Sequence, residues 1–508
     1  MTLCFYEGYL RNRLSLCHEL VLPETSGDQA ILEAGFRRWG TALPDHLYGA
    51  FTFVFRLPES GALFAARDQL GLQPFFYFVT EDRELIYASD INDLLRDTRV
   101  PRSVDPEGLQ NFMHFGYPVG EKTLWQGIRK LLPGRTLTFR DGKVCISTYW
   151  KPVFQPDHSH TEEAWAAEID ETLRLILSED RENADFHTGF SFLSGGVDSA
   201  YLLALSGVPR AVGIGYPGEA VSELPLAEKV AQTLGTGFSG VEVTPDAFFD
   251  AVPRVIHRLG LPLADASAVA FALGCEQAAR CGTVCFSGEG ADEFFAGYQV
   301  YRRADELAQT GGPWHYGCAG VMEAEDAARL LKQDRIYPCE SLVKELYADS
   351  EADEHLSRLL RIDCALWLEG DILFGVRCTA KAAGLRLLLP YADRRLFELS
   401  ARIPSSLKRK EGIEKYILRR AAETRLPHEI AFRPKVGFSV PVRSWLRREP
   451  FRSRVEAVLF DPRSSGVFDQ NLLRQYWSAF LEGNDSIWQI LYAAYVLLVW
   501  FREFDIWM

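Results

Sequence analysis

Short apolar runs separated by turn residues dominate the first 150 residues of the chain. Two of these runs are Ala50–Phe55 and Leu85–Ala88. Runs of this length between Gly and Pro residues predict β-strands. The stretch Asp28–Trp39 differs, because its apolar residues recur at helical spacing and predict a helix. Residues 1–150 are therefore predicted to form a strand-rich domain.

The pattern changes after residue 150. Residues 151–161 are polar, contain two prolines and predict a linker. Helical periodicity begins at Glu162, and short apolar runs then alternate with helical stretches, as at Phe190–Leu193, Ala211–Gly215 and Val284–Ser287. This alternation predicts a second, α/β domain over 162–508 with a parallel sheet. From Leu472 to the end, large apolar residues at helical spacing predict core helices.

The composition is that of a globular protein, with 508 residues of which 47% are hydrophobic and 24% charged. The formal net charge of −14 argues against a chain that coats nucleic acid or an anionic membrane. No apolar run reaches the length of about 20 residues that spans a bilayer, and no signal peptide is recognisable. The ten cysteines are scattered without metal-site spacing. We therefore expect a cytoplasmic protein without nucleic-acid or membrane partners.

The Gly-rich turn Ser194–Ser199 follows a predicted strand and precedes a predicted helix. Exposed backbone N–H groups and the helix dipole make such a turn an anion site. Gly195 and Gly196 allow close approach of a phosphate, and Asp198 is suited to hold Mg²⁺. The Gly-Lys-Ser/Thr ending of a Walker loop is absent. The pattern favours a nucleotide pyrophosphate site over an ordinary Gly-rich turn with an Asp cap.

This hexapeptide resembles the signature of the ATP pyrophosphatase superfamily, whose members cleave ATP to AMP and pyrophosphate and adenylate an oxygen. A second stretch, Phe286–Tyr298, looks like the second synthetase motif of glutamine-dependent asparagine synthetases. Shorter matches keep the order of that family, at Asp265–Ser267, Pro390–Asp393, Glu414–Arg419 and Arg433–Pro441. The resemblance to the asparagine synthetase superfamily extends over about residues 185–446.

The resemblance implies a site for ATP and Mg²⁺ in which Asp198 and Asp292 hold the metal. It also implies Lys435 and Glu289 as catalytic residues, with a solvated surface lysine as the alternative for Lys435. Lys415 and Arg419 share one helical face, which either meets the nucleotide phosphates or is solvated. The implied ATP and pyrophosphate contacts are Leu193, Ser194, Gly195, Gly196, Val197, Asp198, Ser199, Gly215, Gly288 and Lys415.

The first 150 residues resemble the glutaminase domain of the same family, in the segments 5–12, 67–74 and 127–134. Active glutaminases of the family start with a Cys directly after the initiator Met, whereas Thr2 stands here. The amine of Cys4 is held in a peptide bond, and the segment before the glutamine-binding strand has no counterpart. The resemblance implies a truncated, inactive Ntn-hydrolase-like sandwich before an ATP pyrophosphatase (adenine nucleotide alpha hydrolase-like) domain with a helical C-terminal part. A residual nucleophile role for Thr2 is the alternative.

The loss of glutaminase chemistry points to another source of nitrogen. Arg386 stands where asparagine synthetases have a Glu, so we predict that Arg386 and Asp265 line an altered substrate pocket, with structural drift as the alternative. We expect an ATP-dependent, AMP-forming carbon–nitrogen ligase that resembles lasso-peptide macrolactam cyclases and β-lactam synthetases. A precursor peptide would be the carboxylate substrate, and a leader peptidase the partner. The alternatives are an ammonia-dependent asparagine synthetase or other small-acid amidating enzyme, and an inactive scaffold.

Overall fold

The computed structural model describes residues 1–58, 60–184, 186–302, 320–349, 354–435 and 437–507. Val436, within the stretch Arg433–Pro441, lies outside the described residues. The chain folds as a mixed α/β protein in which an antiparallel sandwich precedes a parallel sheet. The fold class expected from the sequence is thus confirmed.

Two antiparallel sheets form the N-terminal sandwich. The larger sheet consists, in spatial order, of β1 (Thr2–Leu10), β2 (Gly49–Arg56), β3 (Leu63–Arg67), β7 (Arg135–Arg140) and β8 (Lys143–Thr148). The smaller sheet consists of β5 (Leu85–Ala88), β4 (Phe76–Val79) and β6 (Arg129–Lys130). Val54 and Ala65 of the first sheet share a buried cluster with Tyr77 of the second. This cluster fills the space between the two layers.

Helices flank the sandwich at α1 (Arg13–Glu19), α2 (Asp28–Trp39), α3 (Ile91–Leu95) and α4 (Pro106–Phe115). Helix α2 has the predicted bounds, and its Ile31 and Phe36 pack on Phe53 and Phe64 of the larger sheet. Helix α4 was missed by the apolar pattern, although Asp105 caps its first turn and Pro106 occupies its first position.

The segment 151–160 has no regular secondary structure, yet it is firmly packed. Phe154 is buried against Phe397, with ring centroids 5.4 Å apart. The backbone N–H groups of Gln155 and Asp157 donate to the carbonyls of Ala401 and Arg402. The expected linker therefore follows the surface of the second half of the chain instead of spacing two free bodies.

The second half contains a five-stranded parallel sheet. Its spatial order is β11 (Gly237–Glu242), β10 (Arg210–Gly215), β9 (Phe190–Phe192), β12 (Val284–Phe286) and β13 (Arg386–Leu388). A small antiparallel pair, β14 (Arg409–Lys410) and β15 (Ile413–Glu414), lies apart from it. Strands β9, β10 and β12 coincide with the predicted apolar runs to within one residue at each end.

Helices surround this sheet. In chain order they begin with α5 (Glu162–Asn183), α6 (Val197–Ser206), α7 (Leu224–Thr233), α8 (Pro245–Leu259), α9 (Ala266–Ala278) and α10 (Ala291–Phe295). The next are α11 (Ala324–Leu330), α12 (Glu340–Ala348), α13 (His355–Asp363), α14 (Phe374–Ala382), α15 (Arg394–Arg402) and α16 (Ser405–Lys408). The last are α17 (Tyr416–Ala422), α18 (His428–Ala431), α19 (Val442–Trp445), α20 (Phe451–Leu459), α21 (Gln470–Leu481) and α22 (Trp488–Phe504).

The C-terminal helices belong to the core, as predicted from their spacing. Trp500 of α22 packs edge-on against Trp125 of the N-terminal half, with ring centroids 4.8 Å apart. Both indole N–H groups donate to the carbonyl of Gly260. In the described part of the chain one helical run, Asp485–Phe504, is long and apolar enough to cross a membrane, and 67% of its most apolar window is buried inside the protein. Its apolar surface is thus largely covered by the rest of the protein.

Candidate active site

The two Gly-rich loops lie side by side at the carboxyl edge of the parallel sheet. Strands β9 and β12 are neighbours, so the loops that follow them, Ser194–Gly196 and Ser287–Gly290, emerge together. A Cβ atom on Gly288 would lie 3.4 Å from the Cβ of Asp198. The two loops are therefore close enough for side chains to be in van der Waals contact.

Hydrogen bonds shape the first loop. The hydroxyl of Ser199 accepts from the backbone N–H of Ser194 at 3.0 Å, and that of Ser194 accepts from the N–H of Gly196 at 3.1 Å. Gly196 precedes α6 with extended backbone and no side-chain cap. The first N–H groups of α6 are thus left for an anion, which is the arrangement predicted for a phosphate.

Lys415 joins the two loops. Its buried ammonium lies 2.5 Å from Asp198 Oδ2 and 2.7 Å from Asp292 Oδ1. Burial alone would lower the pKa of Lys415, but the two carboxylates raise it above its ordinary value. The alternative of a solvated helix face is excluded for this residue. Arg419 is also buried, and it holds the backbone carbonyls of Ala431 and Arg433 instead of facing the loops.

Lys435 contacts the same oxygen of Asp292. Its ammonium forms an ion pair with Asp292 and lies 4.5 Å from the centre of the Tyr298 ring. Burial would raise the pKa of Asp292, but Lys415 and Lys435 lower it below its ordinary value. Asp292 therefore stays ionised. The surface alternative for Lys435 does not match this position, because the side chain lines the cavity described next.

A cavity of about 400 Å³ opens above both loops. Its carboxyl groups come from Asp198, Glu223, Asp265, Glu289, Asp292 and Asp371. Lys435 is the sole Lys or Arg among the described residues that line it. Apolar walls come from Phe192, Phe271 and Trp367. The site is therefore a partly apolar pocket with a large excess of acidic groups.

Burial raises the pKa of several of these acids. It raises the pKa of Glu289 to about 7, although the Ser287 hydroxyl donates to this carboxylate at 2.9 Å. It also raises the pKa of Glu223 to about 7, against the opposing effect of Lys435. The pKa of Asp265 is raised by burial as well, although Ser267 hydrogen-bonds to it. Carboxyl groups that titrate near neutral pH are suited to proton transfer.

Asp371 was not predicted from the sequence. This residue lies in a π-helical segment, Cys364–Leu373, that joins α13 to α14. Its carboxyl group is buried and lies beside that of Asp265. Burial and Asp265 together raise the pKa of Asp371 well above its ordinary value. Helical periodicity alone gave no signal for this acid, because it lies within an apolar helix.

The structure brings most of the predicted residues together. Leu193, Ser194, Gly196, Asp198, Ser199, Asp265, Gly288, Glu289, Asp292 and Lys435 line the cavity. Val197, Gly195 and Gly215 do not, because Val197 is buried in α6 and the two glycines pack against Leu226 and Leu224. In β10, Val212 and Ile214 line the cavity in place of Gly215.

The prediction that Arg386 lines the substrate pocket is wrong. Arg386 begins β13 and pairs with Val284, so it lies at the amino edge of the sheet while the two loops leave the carboxyl edge. Its guanidinium donates to the carbonyl of Asn183 at 2.9 Å and lies 5.3 Å from the Tyr9 ring centre. It lines a separate cavity of about 350 Å³ against the N-terminal half.

Comparison with known proteins agrees with this geometry. The family model described as asparagine synthase matches residues 179–502, and that of a glutamine amidotransferase domain matches residues 4–150. The chain belongs to the asparagine synthase family. It is accordingly an ATP-dependent, amide-forming ligase with an N-terminal domain of the glutamine amidotransferase type.

Curated relatives extend over most of the chain. Asparagine synthetase [glutamine-hydrolyzing] 1 of Bacillus subtilis (strain 168) is 26% identical over 97% of this chain and 84% of its own length. A putative asparagine synthetase [glutamine-hydrolyzing] of Mycobacterium tuberculosis (strain ATCC 25618 / H37Rv) is 30% identical over 86% of this chain and 74% of its own. The solved glutamine-dependent NAD⁺ synthetase from Acinetobacter baumannii in complex with ADP is 14% identical over 67% of this chain and 74% of that chain. Its TM-score of 0.22 is too low to support an assignment.

Proposed function

We propose that this protein adenylates a carboxylate with ATP and joins it to an amine that its substrate supplies, which forms a macrolactam. The observation that carries the proposal is the acidic cavity above the two loops, in which Lys435 is the sole described cation. A free amino acid such as aspartate would bring two carboxylates into this pocket. A peptide that presents one side-chain carboxylate and a protonated amino terminus matches its charge better.

In the proposed reaction the Ser194–Ser199 loop binds the phosphates of ATP, and Lys435 neutralises charge at the α-phosphate. A carboxylate oxygen of the substrate attacks the α-phosphorus, and pyrophosphate leaves. The protonated amino terminus first gives a proton to a buried carboxylate, the neutral amine then attacks the acyl carbon, AMP leaves, and the nitrogen releases its second proton to solvent. Glu289 is placed to accept the first proton, because it lines the cavity and its pKa of about 7 leaves part of the group ionised near neutral pH.

The residues present fit a magnesium ion. Asp198 Oδ1 is buried and has no hydrogen-bond partner among the described residues, and the ionised Asp292 lies across Lys415 from it. Mg²⁺ is commonly held by one or two carboxylates together with substrate phosphates. When bound, the metal would neutralise the triphosphate and the leaving pyrophosphate. No group of three or more His, Cys, Asp or Glu side chains in the described segments forms a cage for it.

Glutamine is not the nitrogen source in this proposal. Cys4 lies inside β1, where its thiol contacts the carbonyl of Thr2, and its own nitrogen is part of a peptide bond. It therefore lacks the free α-amine that an N-terminal nucleophile uses as its base. We further propose a precursor peptide as substrate and a leader peptidase as partner.

An ammonia-dependent asparagine synthetase is the second candidate. The curated relatives are named asparagine synthetases, although of the glutamine-hydrolyzing kind, which supports the asparagine product and not the ammonia source. A cavity of about 400 Å³ is also at the small end of ligand pockets, which run from about 300 to 1,000 Å³.

Product analysis distinguishes the two candidates. The purified protein is given ATP and Mg²⁺ with aspartate plus ammonia, with aspartate plus glutamine, or with a peptide carrying a free amino terminus and one acidic side chain. AMP, pyrophosphate and a dehydrated peptide in the third reaction support the macrolactam proposal. Asparagine from ammonia would replace it with the second candidate, and asparagine from glutamine would refute the loss of glutaminase activity. A Glu289→Gln variant should still release pyrophosphate but form less amide, and Glu81→Gln, at an exposed site, is the matched control.

A further inference from the structure

Arg11 is a fully buried cation at the boundary between the two halves of the chain. It follows β1, and its Nε donates to Asp180 of α5 at 2.8 Å while an Nη donates to Asp393 at 2.6 Å. The other Nη donates to the hydroxyl of Tyr9 at 3.2 Å. Each of the three guanidinium nitrogens thus donates a hydrogen bond, and two carboxylates from the second half balance the charge.

The carboxylate that Arg11 holds belongs to a loop that supports the ATP site. Asp393 caps α15 by accepting from the N–H of Arg395 at 2.8 Å. It directly follows Tyr391 and Ala392, whose positions are therefore tied to it by the chain. Arg395 and Arg11 lower the pKa of Asp393 to about 2, although its burial acts in the opposite direction. Asp393 is therefore ionised, and its geometry depends on these two cations.

The same loop touches both carboxylate-bearing loops. The hydroxyl of Tyr391 donates to the backbone carbonyl of Asp198 at 3.1 Å. Ala392 packs on Gly290, where a Cβ atom would lie 3.3 Å from the nitrogen of Ala392. Gly290 has φ +97° and immediately precedes α10, which carries Asp292. A displacement of Asp393 would therefore be passed to the backbone at Asp198 and at Asp292.

We propose that Arg11 is a positioning residue for the ATP site, through which the glutaminase-like half sets the spacing of Asp198 and Asp292. The inference rests on the proposed function in so far as these loops bind ATP and Mg²⁺. It gives the N-terminal half a task in a chain that does not use glutamine. Arg11 itself touches neither loop, so its effect passes through Asp393, Tyr391 and Ala392.

The test measures the affinity of the full-length protein for the Mg²⁺ complex of α,β-methylene-ATP, which cannot release pyrophosphate, by calorimetry. Arg11→Met is expected to weaken this affinity by at least about tenfold, since misplacing site groups by about 1 Å can cost up to about a hundredfold. Arg11→Lys keeps the charge and is expected to recover part of the affinity. Equal affinity of wild type and Arg11→Met would overturn the proposal.

A matched control separates positioning from loss of stability. Lys130 also joins the two halves through a buried ion pair, with Glu369 at 2.6 Å, but it does not contact the Asp393 loop. Lys130→Met should lower the melting temperature while the nucleotide affinity stays at the wild-type value. A parallel loss of affinity in Lys130→Met would show that any destabilisation has this effect, and would overturn the specific role of Arg11.

A double-mutant cycle keeps the proposal testable if Arg11→Met does not fold. Arg11→Lys and Tyr391→Phe disturb the same series of contacts, which runs from Arg11 through Asp393 and Tyr391 to Asp198. Their effects on nucleotide affinity should therefore not add. Strictly additive effects would overturn the route through Tyr391. Absence of nucleotide binding by the wild-type protein would instead refute the proposed function, and this proposal with it.

Discussion

The Lys415 ammonium lies 2.7 Å from Asp292 Oδ1, in the space between the two carboxylates assigned to magnesium. The residue has φ +55°, a left-handed conformation that non-glycine residues seldom adopt. The strained backbone places the side chain between Asp198 and Asp292, which would otherwise repel each other in a buried site. Lys415 thus places a positive charge between the two carboxylates.

Replacing this cation should make the site depend on metal. In Lys415→Met the two acidic side chains lose their buried partner, so the melting temperature without metal should fall by several degrees, as for a loss of about 3 kcal/mol or more. Added Mg²⁺ should then stabilise the variant more than it stabilises wild type, because it can enter between the carboxylates. Thermal melts with and without Mg²⁺ measure this difference. Lys410→Met, which loses a partly exposed pair with Glu162 and a contact with Tyr416, is the control. An equal Mg²⁺ effect on all three proteins would contradict this role.

The site has no room for an additional atom at Gly297. A Cβ atom there would overlap Cε of Lys415 and Oδ1 of Asp292. Gly297→Ala should therefore separate the pair and weaken binding of the Mg²⁺–nucleotide complex by about tenfold or more, with the overall fold retained. Calorimetric titration gives the affinity, and circular dichroism reports on the fold. Gly27→Ala, where the added atom meets nothing within 4 Å, should bind as wild type does. Normal binding by Gly297→Ala would show that the overlap is relieved without cost.

Local patterns in the sequence predicted the two loops because each is defined by its own residues. An apolar run followed by glycines gave β9 and the Ser194–Ser199 loop, whereas β12 came from an apolar run and the loop before Asp292 from the resemblance of Phe286–Tyr298 to a family motif. Parallel neighbours place such loops at one edge, so the meeting of Asp198 with Asp292 was foreseeable. The helix Asp28–Trp39 was predicted for the same reason, since its periodicity is local.

Long-range packing decided what could not be predicted. Arg11 and Asp393 are 382 positions apart, and nothing in either neighbourhood marks them as partners. Asp371 lies in a π-helical run, where the helical period that sequence analysis relies on is altered. Arg386 was placed at the wrong end of its strand, because alignment with a family motif gives the position in the chain but not the edge of the sheet it faces.

The acidic cavity should give the protein a distinctive dependence of stability on pH. Burial raises the pKa of Glu289 from its ordinary 4.5 to about 7, so the folded protein retains a proton that the unfolded chain has released. The stability from this group is present at low pH and is lost as the pH rises through about 7. Glu289→Gln removes the titration, so its melting temperature should exceed that of wild type more at about pH 8.5 than at about pH 5. Glu81→Gln should show no such change, and a pH-independent difference for Glu289→Gln would contradict the assignment.

Glu369 provides the opposite case, a buried acid that is fully paired. Its carboxylate forms ion pairs with the guanidinium of Arg67 at 2.8 Å and with the ammonium of Lys130 at 2.6 Å, both from the N-terminal half. Burial would raise the pKa of Glu369, but Lys130 and Arg67 lower it below its ordinary value. Its contribution to stability is therefore present above its unfolded pKa and is lost as the pH falls through the lower, folded one.

Removing the charge of Glu369 leaves the buried cations Arg67 and Lys130 without the carboxylate that they share. Glu369→Gln should therefore destabilise the protein by about 3–5 kcal/mol at neutral pH, far more than an exposed substitution such as Glu81→Gln. Urea unfolding followed by tryptophan fluorescence measures this difference, because Trp125 and Trp500 meet at the boundary between the two halves. If the two halves unfold together, unfolding should remain a single transition whose midpoint moves to a lower urea concentration. A separate early transition in the variant alone would show that the Glu369 network is what couples the N-terminal half to the rest of the chain.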